Sequence, residues 1–106
     1  MTHRLPPEIA ESIRIVLEFH RWGAQAEGVT AGGTLYRDDF SRTREEAHKL
    51  QELCRTVSRH LAGALPAGTS TLISAGSLYR RSADYVKACE YFTRALETIY
   101  RESGCA

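Results

Sequence analysis

Apolar residues recur along this chain at intervals of three and four, and separate stretches carry that helical period. In the first, Ile9, Ile13, Val16, Leu17 and His20 form one stripe, while Ile15, Phe19 and Trp22 form a second at i, i+4 and i+7. Pro6 and Pro7 set an extended lead-in, and proline is tolerated in a first helical turn, so the spacing predicts a helix over residues 7–22. A surface helix of a small domain needs a single apolar stripe toward its core. The second stripe therefore calls for another neighbour: a second subunit, a partner, or the long connection that follows.

Residues 23–42 read as that connection. The run GAQAEGVTAGGT has no periodicity and includes Gly32-Gly33. Thr43 and Glu46 have the spacing of a capping box. Leu50, Leu53, Cys54, Val57, Leu61, Ala64 and Leu65 then make the clearest stripe in the chain, predicting a helix over 43–65 that Pro66-Ala67-Gly68 ends. Thr69 or Ser70 can cap a third helix over 70–81, and Ser82-Ala83 break it. Asp84 can cap a fourth over 84–102, lined by Tyr85, Ala88, Phe92, Ala95 and Ile99 and stopped by Gly104. The expected fold is all-α: one domain, residues 1–106, of four helices, with no strand beyond a few residues around Leu35-Tyr36.

Composition narrows the function. The chain has 106 residues, 42% of them hydrophobic and 25% charged, which suits a single globular domain. Lys plus Arg number 14 against 13 Asp plus Glu, so the formal charge of +1 provides no field to draw nucleic acid or an anionic membrane. The cations are arginines apart from Lys49 and Lys87, and guanidinium groups suit protein interfaces. No apolar stretch approaches a membrane span and none follows the first residues as a signal sequence would, so the expected location is cytoplasmic.

Candidate chemistry is sparse. His3, His20, His48 and His60 are scattered, and no interval between them and Cys54, Cys89 or Cys105 matches a zinc pattern, so neither metal nor cofactor is expected. Cys54 and Cys89 fall on apolar faces as small core residues, whereas Cys105 lies in the tail and can cross-link two chains on oxidation. Cys54 and His60 stand six apart on one predicted helix and do not face each other. Asp38-Asp39 precedes a helix, as capping acids do. With no nucleophile, phosphate-cradle or metalloprotease motif present, an enzyme is not expected. Arg80-Arg81 and the last two helices have helix-turn-helix proportions, but Glu90 and Glu97 oppose entry into a DNA groove.

From Leu72 to Leu96 the chain resembles a single tetratricopeptide-type hairpin. The matching positions are Leu72, Ala75, Gly76 and Tyr79 in the first helix, then Tyr85, Ala88, Phe92, Ala95 and Leu96 in the second. The resemblance implies that small residues let two antiparallel helices close on each other while aromatic rings fill the space between them. Leu72 stands where that family prefers tryptophan and Ala75 where it prefers leucine, and no second copy is evident. In size, helical character and lack of a catalytic motif, the chain also looks like the small bacterial antiactivators of quorum sensing. That resemblance implies a regulator that binds a LuxR-type transcription factor and blocks its dimerisation or DNA binding. Arg14, Ile15, Phe19, Arg21 and Trp22 are the expected partner-binding or homodimer surface, since tryptophan and arginine are common interface anchors. A tetratricopeptide-like secretion chaperone and a homodimeric structural module remain open as alternatives.

Overall fold

The local signals of the sequence resolve into four helices in the computed structural model, which describes residues 5–27 and 40–104, with side chains over 5–19 and 43–102. They are α1 (Pro7–Glu27), α2 (Phe40–His60), α3 (Thr69–Arg81) and α4 (Tyr85–Ile99), and α4 continues into a π-helical turn at Tyr100–Gly104. No strand occurs among the described residues. The all-α expectation holds; Leu35-Tyr36, and with it most of the expected long loop, lies outside the described residues.

Every helix differs at an end from its expected bounds. α1 begins as expected, with the amides of Ile9 and Ala10 both donating to the Pro6 carbonyl at 3.0 Å. It then runs five residues past Trp22, because Ala24, Gln25, Ala26 and Glu27 are good helix formers and offset the cost of about 1 kcal/mol for Gly23. α2 begins three residues early, so Thr43 is a buried residue of its first turn and not an N-cap. The Thr43 carbonyl accepts the Sγ–H of Cys89 from α4 at 3.8 Å, a tertiary contact that the capping-box spacing could not register.

α2 also stops at His60, five residues short. Gly63 takes up the left-handed conformation at φ +79°, and the Ala64 amide closes a turn onto the Leu61 carbonyl at 2.6 Å. Leu61 is nonetheless fully buried and Leu65 packs on the same core, so the apolar period outlasts the helix that it suggested. At the start of α3 neither expected cap accepts a backbone amide. The Thr69 hydroxyl donates backward to the Pro66 carbonyl at 2.7 Å, and left-handed Gly68 takes the capping position. Asp84 does cap α4, its carboxylate accepting the Lys87 amide at 3.3 Å.

The turn between α3 and α4 is closed by the pair of bonds of a Schellman motif: the Asp84 amide donates to Tyr79 at 2.9 Å and the Ala83 amide to Arg80 at 3.0 Å. Its left-handed residue, normally glycine, is Ala83 at φ +64°. This reversal lays α3 back along α4. Gly76 is buried there, and a β-carbon on it would lie 2.7 and 2.8 Å from two carbons of the Phe92 ring. No larger residue fits at that point without displacing the ring.

α4 is the central element, packing along α3 and α2 and receiving α1 near its C-terminal end and the π-helical turn. Its buried residues Ala88, Cys89, Phe92, Leu96 and Ile99 form one core cluster with Ile13 of α1 and Ala47, Leu50, Cys54 and Val57 of α2, and Ala95 is buried as well. α2 and α3 also meet directly, where the Gln51 amide donates to the Ser77 hydroxyl at 3.2 Å.

Two substitutions test this account by urea or thermal unfolding. Gly76→Ala is expected to destabilise the protein by about 1–3 kcal/mol through overpacking against Phe92, although alanine is the better helix former. Ala83→Gly is expected to stabilise it by about 0.5–1 kcal/mol, because it relieves a left-handed backbone with no loss of contact.

Candidate protein-binding surface

α1 is apolar on two sides, and one of them is seated in the core. Ile13 is fully buried, and Ile9, Ala10, Val16 and Leu17 pack partly against the core. At about 100° per residue, Ile15 and Phe19 project to the other side. They remain 54% and 36% exposed, large values for side chains that stabilise a fold by leaving water.

Charged groups line the same side. Arg14 is held by Glu11 at 2.6 Å and Glu18 at 2.9 Å, one turn before it and one turn after. The hydrogen bond and charge of Arg14 hold the Glu11 carboxyl below its usual range, and those of Glu11, with Glu18 adding less, push the Arg14 guanidinium up. All three groups are solvent-exposed, and pairs of this kind orient side chains more than they stabilise a fold. Arg14, expected as part of a partner surface, is paired within its own helix on this side. The side chains of His20, Arg21 and Trp22 lie outside those described.

The hairpin residues are packing residues. Gly76, Ala88, Phe92 and Ala95 are buried, and Tyr79 and Tyr85 pack partly against the core. Tyr79 also stacks on Tyr91 with centroids 5.3 Å apart and planes 18° from parallel. Lys87 Nζ lies 5.3 Å from the Tyr79 centroid and the Arg94 guanidinium 5.3 Å from that of Tyr91. This ladder was unread in the sequence, though Lys87, Tyr91 and Arg94 share one face of α4 at helical spacing. Leu78 was missed as well; it is 59% exposed on α3, where its neighbours at helical spacing, Thr71, Ser74 and Arg81, make no apolar stripe. Of the two arginines that end α3, Arg80 is half-buried and Arg81 is exposed.

Cys54 and Cys89 are both fully buried free thiols. Burial pushes each from its ordinary value of 9.0 up to about 12, and the carboxylates of Glu46 and Glu90 add to the shift at Cys89. His60 is exposed while Cys54 is sealed in the core, so the two cannot act as base and nucleophile. Cys105 lies outside the described residues. Among the described residues no group of His, Cys, Asp and Glu is placed to hold a metal ion, and no helix is long and apolar enough to cross a membrane. Comparison of the chain with protein-family models, curated proteins and solved structures gives no match.

The thiols give a test of the core. A thiol-specific alkylating reagent at pH 8 should leave Cys54 and Cys89 unlabelled in the native protein and label both after unfolding, as read by peptide mass spectrometry. Each folded thiol keeps its proton to about pH 12, whereas the unfolded chain loses its own near 9.0. Their contribution to stability is therefore complete below about pH 9 and declines as pH rises toward 12, which denaturant titrations at increasing pH would record.

Proposed function

We propose that this protein is a non-enzymatic regulator that acts by binding another protein through the outer side of α1. One observation carries this reading: α1 has its first apolar stripe seated in the core and still presents Ile15 and Phe19 to solvent. Helices recognised by partner grooves use anchors at this spacing, one turn apart on one side. The Glu11–Arg14–Glu18 chain fixes charged groups along the edge of those anchors, which gives a partner polar contacts of defined position. In the sequence, Trp22 continues the stripe by a further turn.

The specific form of the proposal is an antiactivator that sequesters a transcription factor of the LuxR type and blocks its dimerisation or DNA binding. The support for that target is the likeness in size and helical character to small quorum-sensing antiactivators. Affinity capture from the native cell with the full chain as bait tests both levels. A transcription factor is the expected prey, and Ile15→Ser with Phe19→Ser should reduce its recovery about tenfold or more in a protein that remains helical by circular dichroism. Undiminished recovery by the folded double variant would remove α1 from the interface, and recovery of an exported protein would replace the antiactivator with a secretion chaperone.

A further inference from the structure

The large apolar side chains that the described residues expose fall on two surfaces, and the two are complementary. One is the outer side of α1, with Ile15 and Phe19. The other is the outer side of α3, where Thr71, Ser74, Leu78 and Arg81 form an exposed stripe around Leu78. Their shapes differ in a matching way, since short Thr71 and Ser74 leave room for the bulky residues of α1. Their charges differ too. α1 presents the carboxylates of Glu8, Glu11 and Glu18 with Arg14 along this side, whereas the α3 stripe carries Arg81 and no carboxylate.

We propose that the occupant of the α1 face in the isolated protein is the α3 face of a second copy of this chain. With the helices antiparallel, Phe19 falls against Ser74, Ile15 beside Leu78 and Glu11 opposite Arg81, because both stripes repeat every three to four residues. Burying Ile15 and Leu78 removes apolar area from water at both surfaces. Reciprocal docking, each protomer's α1 on the other's α3, closes the pair about a two-fold axis. Pairing α1 with α1 instead sets two net-acidic helices against each other.

This surface overlaps the one used in the proposed function, so a target and a second copy exclude each other on α1. Leu78 and Arg81 lie outside that target face, which separates the two ideas experimentally. Sedimentation velocity on the full chain over about a hundredfold range of concentration reads the association by mass action. The wild type is expected to self-associate, and Ile15→Ser and Leu78→Ser, both at exposed positions, should each weaken association about tenfold or more. Mixing the two variants should restore association in part, because in the mixed pair one of the two contacts joins an intact α1 to an intact α3. Arg81→Glu should weaken association by about threefold or more. Target capture should survive Leu78→Ser and fail with Ile15→Ser. A wild type that stays monomeric throughout, a Leu78→Ser variant that associates like the wild type, or a mixture that stays monomeric overturns the proposal while leaving target binding to be judged by capture.

Discussion

The fold depends on the contact of the Phe92 ring with the bare backbone of Gly76. Because glycine lacks a side chain, α3 lies close against α4, and a single β-carbon would stand inside the ring's contact distance. The turn that brings the helices together is closed by backbone bonds from Ala83 and Asp84, and Asp84 also caps the returning helix. Reversal and close approach are thus encoded within a short stretch, which favours early pairing of α3 and α4 over pairings distant in sequence. α4, held on one side by α3, offers its remaining apolar surface to α2 and α1.

α1 stands in a different relation to the core. It reaches α4 and the π-helical turn and contributes fully buried Ile13, while Ile15 and Phe19 on its other side stay partly exposed. The exposed stripe opposes the tendency of folding to hide large apolar side chains, the property on which the proposed recognition rests. The ion-paired chain of Glu11, Arg14 and Glu18 keeps the stripe's margin polar and ordered. α3 carries a smaller counterpart in Leu78. The two exposed surfaces differ in sign of charge and in side-chain size.

Chemical reactivity is kept out of the interior. The described thiols are sealed and protonated through the physiological range, and a buried cysteine of this kind behaves as a small apolar side chain. The histidines whose side chains are described, His48 and His60, are both exposed. The tyrosine ladder with Lys87 and Arg94 is closed upon itself, each cation lying over a ring, so it stiffens the hairpin's outer edge.

Helix identity, the core stripe of α4, the Asp84 cap and the two-sided character of α1 were legible because each rests on the residue's neighbours along the chain and on the 3.6-residue period. The hairpin was legible for the same reason: Gly76 and Phe92 stand in a spacing whose packing consequence is local. Other features were decided by tertiary contact. Thr43 reads as a cap, but the docking of its carbonyl against Cys89 sets it inside a longer helix; Leu61 and Leu65 read as helical, but a turn through Gly63 carries them to the same core. The pairing of Arg14 with Glu11 and Glu18 and the exposure of Leu78 are known only once the side chains are placed. Periodicity specifies which side chains prefer to leave water, whereas the arrangement of helices specifies which of them succeed.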